Sequence, residues 1–128
     1  MTDIEYGELK KWQHDLDAVL LQAPKETRAV VQRGALNIKR DAQGRVRGLA
    51  HAPAYPYAIS YDTKETPASY TAEIGPDKAK RQGALGNLIE FGSVNNAPRP
   101  HMIPAGDAER PRFEKAMEDL AARILEGR

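Results

Sequence analysis

Hydrophobic positions along the chain fall into four stripes of helical spacing and one alternating pair, separated by polar or proline-rich connections. Between Gly7 and Ala23, Trp12, Leu16, Val19, Leu20 and Ala23 recur at i, i+4, i+7, i+8 and i+11, while Lys10, Lys11, Asp15 and Asp17 lie off that stripe. This predicts a first amphipathic helix with Trp12 as its core anchor. Pro24 suits the first turn of a second helix, where its missing N–H has no intrahelical partner, and the helix is expected to reach about Ala42. Its face of Val30, Val31, Gly34, Ala35, Ile38 and Ala42 is small enough for another helix to approach closely. The first helix is the nearest candidate for that place, with a subunit contact as the alternative.

Asp41-Ala-Gln-Gly44 carries turn chemistry, and the Gly/Pro-interrupted segment Arg45 to Tyr55 reads as a loop or a poorly formed hairpin arm. Tyr57, Ile59 and Tyr61 then alternate with Ala58 and Ser60 as in a half-buried strand. Asp62 to Pro67 is expected to be the turn. Ser69 to Ile74 gives the second strand, with Tyr70, Ala72 and Ile74 on one side. Two strands are marginal alone in water, so helices must cover them or further strands must join, from Val46 to Ala50 or from the N-terminus. Gly75 to Gly83 is polar and glycine-bounded, an exposed loop with a small positive cluster of Lys78, Lys80 and Arg81.

Leu85, Leu88, Ile89 and Gly92 follow the spacing of one helical face, which favours a short buried helix over Ala84 to Phe91, although Leu88 to Phe91 would also suit a strand. Gly92 can supply the left-handed conformation that commonly ends a helix. Beyond it Pro98, Pro100 and Pro104 each fix φ and bias the preceding residue to extended backbone. Ala97 to Ile103 should therefore cross the surface as a stiff strap that presents Arg99, His101, Met102 and Ile103. From Pro104 to Leu125, Phe113, Met117, Leu120, Ala121 and Ile124 mark the clearest amphipathic helix, with Pro111 either kinking it or starting its main segment. The fold class that results is α+β: a small antiparallel sheet built on a hairpin and packed by two N-terminal helices, a short central helix and a long C-terminal helix.

At 128 residues the chain fits a single domain that can bury roughly two thirds of its unfolded surface. With no cysteine it has neither disulfides, thiolate metal sites nor a cysteine nucleophile. No apolar run approaches the roughly 18 residues of a membrane span, and the first residues lack the pattern of a signal peptide, so a soluble protein made in the cytoplasm and without a membrane partner is expected. The formal net charge of +1 argues against a dedicated polyelectrolyte binder. The one asymmetry lies between Lys25 and Arg47, with seven basic residues against two acidic ones. Arg33, Lys39, Arg40, Arg45 and Arg47 are its candidates for facing DNA, against the plainer reading of a solvated helix face.

Catalytic chemistry has little to stand on. His14, His51 and His101 are far apart, Asp17 three residues after His14 suits a surface contact better than a ligand set, and no metal, phosphate-cradling or nucleophile-elbow motif occurs. Glu90 with His101 is the one improvised acid-base pair. The alternative reading, which we favour, is that Glu90 accepts hydrogen bonds from backbone amides of the loop and fixes the strap, with an exposed His101 contributing little. Neither enzymatic turnover nor a cofactor is expected.

The order of a short apolar helix, Glu90-Phe91-Gly92-Ser93, a polar loop, a strap bearing Pro98 and Pro100, then Pro104-Ala105 and a long C-terminal helix resembles the head-tail joining or tail-completion proteins of long-tailed bacteriophages. Leu88 and Ile89 belong to the same resemblance, which covers the C-terminal third closely; Gly44 to Pro53 lacks the Thr-Gly that such proteins often carry there. The resemblance implies a structural virion protein at the neck, with Glu90, Phe91, Gly92, Pro98, Arg99, Pro100, His101, Met102 and Pro104 as its interface motif. Its partners would be copies of itself in a ring, a hexamer by the symmetry of such tails, together with neighbouring adaptor, stopper or tail-terminator proteins and passing genomic DNA. The free chain would be a monomer until its platform exists.

Overall fold

The computed structural model describes residues 23–67 and 69–126, and the predicted first helix with Trp12, His14 and Asp17 lies outside them apart from Ala23. Helix α1 spans Pro24–Arg45, with Pro24 in its first turn and Glu26 near its positive end. The buried residues Val31, Gly34, Ala35, Ile38 and Ala42 form one stripe, as the spacing predicts. Among the described residues that stripe meets the C-terminal helix; the expected partner, the first helix, lies outside them. Helix α3, Met102–Glu126, runs antiparallel to α1: Gly34 lies against Phe113, Asn37 against Glu109, and the end of α1 against Arg99 just before α3 begins. A Cβ at Gly34 would stand 3.0 Å from the Phe113 ring, so glycine is what lets that ring seat between the helices.

The sheet is a two-stranded antiparallel hairpin, β1 Ile59–Thr66 and β2 Ser69–Pro76, in register from Ile59 opposite Pro76 to Thr66 opposite Ser69. Tyr70, Ala72 and Ile74 are buried on the face that packs under α1, as their alternation predicts. Gln32 of α1 donates to the Tyr70 hydroxyl at 2.8 Å, and Arg28 pairs with Glu65. No third strand joins the sheet among the described residues; α1 supplies the cover that an isolated hairpin needs. Asp62 to Thr66, expected as the turn, are strand residues. The ladder's backbone hydrogen bonds do not depend on side-chain hydropathy, so the polar half of β1 pairs while its side chains face solvent. Tyr57 belongs not to the strand but to a 3₁₀ turn, Tyr55–Ala58, and is exposed.

A second 3₁₀ turn, Gly83–Leu85, leads into helix α2, Gly86–Phe91. The helical reading of this stretch therefore holds and the strand reading does not. The loop before it exposes Lys78, Lys80 and Arg81 but is pinned at both ends: Asp77 N–H donates to Ala58 at 2.8 Å, and the Gln82 side chain accepts from Ala54 N–H at 2.6 Å. Gly83 packs so closely on Asp77 that a Cβ would overlap its carbonyl oxygen at 1.9 Å. Helix α3 begins at Met102, two residues before Pro104, and continues through Pro111 as one element. Pro111 and Asp107, whose carbonyl loses its intrahelical donor there, are both exposed, so water can meet that oxygen. Phe113, Met117 and Leu120 are buried on the predicted stripe.

Candidate interaction site around Glu90 and the strap

Glu90 is the last but one residue of α2 and only 3 % exposed. One of its oxygens accepts from the backbone N–H of His101 at 3.1 Å and of Met102 at 2.9 Å, and the other from Ile103 N–H at 3.3 Å. Those amides open α3, so a carboxylate from another helix satisfies donors that no intrahelical acceptor can reach and places negative charge at the positive end of the helix. The expected role of Glu90, fixing the strap through backbone amides, is what the geometry shows. Burial by itself would raise the carboxyl; the hydrogen bonds from the His101 ring and from the Met102 and His101 amides outweigh it and hold the group at about 2.

His101 is not an exposed strap residue. It is fully buried, because the chain turns inward after Pro100 to start α3, and Met102 is buried with it. His101 Nδ1 lies 3.0 Å from Glu90 and 3.0 Å from the Arg99 carbonyl, both acceptors, so Nδ1 carries the proton. Nε2 is left to accept from the Tyr55 hydroxyl at 2.7 Å, with the two rings edge to face. Tyr55 and His101 are both wholly inside. The sequence paired Glu90 with His101 but gave no sign of Tyr55, which comes from a loop forty-six residues earlier. The chain of tyrosine, histidine and carboxylate has the order of a proton relay, yet no solvent reaches it; it is a lock between the Tyr55 turn, α2 and α3.

Outside the lock the strap behaves as expected only from Ala97 to Pro100, all exposed. Arg99 does more than face solvent: its amide donates to Ile89 at 2.7 Å, and its guanidinium donates to the carbonyls of Arg45 at 2.9 Å and Arg47 at 3.0 Å. The last carbonyls of α1 and the loop after it are thus capped by a cation. Pro104 lies in the first turn of α3 and not on the strap. Gly92 has φ 82 and ψ 175, a positive-φ region essentially reserved for glycine but not the left-handed helical one expected. Its would-be Cβ stands 2.8 Å from the Pro98 nitrogen, so glycine also lets the strap cross the end of α2.

Helix α2 is not buried as its spacing suggested. Leu88 is 54 % and Phe91 50 % exposed, and Val94, at the tip of a small turn closed by Ser93 and Asn96, is fully so. The small helix is held by Glu90 and its glycines, which frees its large apolar side chains to point outward. Beside them lies an open groove of about 510 Å³ floored by Leu49, Leu85, Leu88, Ile89 and Pro98.

The proposed DNA-facing residues do not form one patch. Arg33 and Arg40 share a stripe of α1, Lys39 lies on another, and Arg45 is paired with Asp41 at 2.8 Å. Arg47 is exposed, and its carbonyl accepts from Arg99. Among the described residues no helix is long and apolar enough to cross a membrane, and no three His, Asp or Glu side chains are grouped to hold a metal ion. Comparison of the chain with protein-family models, with curated proteins and with solved structures finds no match.

Proposed function

We propose that this chain is a structural component of a bacteriophage neck, a head-tail connector or tail-completion subunit that works by ring assembly and protein contacts without turnover. The observation that carries a binding role is the exposed apolar surface of Leu88, Phe91 and Val94 on a rigid mount. Large apolar side chains on a short helix cost solubility unless another surface covers them. Here the mount is fixed on three sides, by Glu90 to α3, by Arg99 to α1 and by His101 to Tyr55, so docking loses little conformational entropy. The resemblance of Glu90-Phe91-Gly92-Ser93 and the following prolines supplies the virion setting. Repetition around a ring lets contacts of order 800 Å² a side add up to a permanent joint.

The test is a phage lysate made without the chain, viewed by negative-stain electron microscopy, with purified protein added back. Separate filled heads and finished tails that regain infectivity on addition are the expected result. Joined, infective virions formed without the chain would overturn the reading.

A further inference from the structure

We infer that the groove beside the strap receives the C-terminal end of α3 from a second copy of the chain, making a head-to-tail contact. This deepens the ring reading above by naming the surfaces that would close it.

The groove has an apolar floor, no acidic residue lines it, and one cation, Arg99, stands on its wall. Arg99 is held there by its bonds to the Arg45 and Arg47 carbonyls, so its charge is fixed at the groove. Its complement would be an apolar side chain flanked by carboxylates. The last turns of α3 carry that combination: Leu125 is 77 % exposed, and Glu118 and Glu114, seven and eleven residues earlier, lie exposed on the same helical stripe. Arg123 falls on the opposite side of the helix.

Position decides the kind of contact. Arg99 precedes the first residue of α3 and Leu125 is its last but one, so groove and leucine lie at opposite ends of a helix about 35 Å long. They cannot meet within one molecule. They can meet between two copies, and such a heterologous contact leaves a free groove at one end and a free leucine at the other, the condition for a ring or a filament. Groove-to-groove pairing about a two-fold axis would instead set the Arg99 cations of both copies against each other.

The chain has no cysteine, so engineered thiols report the contact without background. Ala50, exposed at the groove, and Leu125 are changed singly to cysteine in the full chain, and the two purified proteins are oxidised alone and mixed. The contact predicts a covalent pair of twice 14.2 kDa chiefly in the mixture, and a ladder of higher species from the A50C/L125C double variant. Glu114→Lys together with Glu118→Lys in the L125C protein should lower the yield several-fold. Circular dichroism and thermal unfolding of each variant establish that it is folded. Cross-links only within each single variant would show a two-fold contact and overturn the inference, and so would their absence from the mixture of folded proteins at the highest concentration they tolerate. Yield that appears only after removal of residues 1–22 would assign the groove to that segment and likewise overturn the inference. Cross-linking in pure protein is independent of any virion, so a failed lysate test with positive cross-links rejects the neck and keeps the contact, and the reverse result keeps the neck and rejects the contact.

Discussion

Two buried carboxylates, Glu90 and Glu109, are equally hidden at 3 % exposure yet are held in different ways. Glu90 faces three backbone amides at the start of α3 and the Nδ1–H of a buried histidine. Glu109 sits in the middle of the same helix and is held by side chains, the Asn37 amide at 3.0 Å and the mostly exposed Arg112 guanidinium at 2.8 Å. Backbone donors are fixed by the helix that carries them, whereas Arg112 must give up rotamers to stay in place and shares its charge with water. The same cost of burial is therefore offset by preorganised dipoles in one case and by adaptable partners in the other. Glu90 joins three segments of the chain; Glu109 only tunes the contact of two helices.

The largest expected effect follows from removing the fixed acceptor. Glu90→Ala leaves three amides and the His101 ring N–H without their carboxylate and should cost about 3–4 kcal/mol in urea unfolding. A loss below about 1 kcal/mol would show that water replaces the carboxylate and would end the contrast with Glu109.

Acid should act on the same group. The Glu90 carboxyl is held at about 2 against an ordinary 4.5, a depressed value, so its contribution is fully present above 4.5 and is lost as pH falls toward 2. The loss is about 3 kcal/mol across that window, and it should be absent in Glu90→Gln when unfolding is followed between pH 5 and 2, limits set by the two values. An unchanged acid slope in Glu90→Gln would assign the acid sensitivity to other carboxylates.

Tyr55→Phe removes the one donor shown for His101 Nε2 in a site without solvent and should cost about 1–2 kcal/mol. Glu109→Gln is the smallest step: Gln keeps an acceptor for Asn37 and loses only a partly screened ion pair, about 1 kcal/mol or less in thermal unfolding. If it costs as much as Glu90→Ala, the distinction between backbone and side-chain partners fails.

Much of the fold was legible because it rests on periodicity. The stripe of α1 from Val31 to Ala42, the stripe of α3 from Phe113 to Leu120 and the alternation of Tyr70, Ala72 and Ile74 all bury as their spacing requires. Periodicity failed where burial is set by something other than hydropathy. Leu88 and Phe91 have the spacing of a core face but are exposed, because α2 is anchored by a polar residue and by close approach at Gly86, where a Cβ would meet Pro76 at 2.6 Å. Asp62 to Thr66 read as a turn but pair as strand. Glu90 was legible as an acceptor of strap amides because it ends a helix just before a loop of unpaired donors. His101 was not legible as a core residue, since only the inward turn after Pro100 hides it.

By itself the sequence determined part of the local conformation: the courses of α1 and α3, which residues of β2 face inward, and where the chain needs a glycine at Gly92. Those follow from side-chain spacing and from φ restrictions, which act over a few residues. Only the tertiary structure decided that α1 packs on α3, that Tyr55 meets His101, and that Arg99 closes the end of α1. Each of these contacts joins segments dozens of residues apart, and what selects them is the cost of leaving a buried polar group unpaired, which no local pattern records.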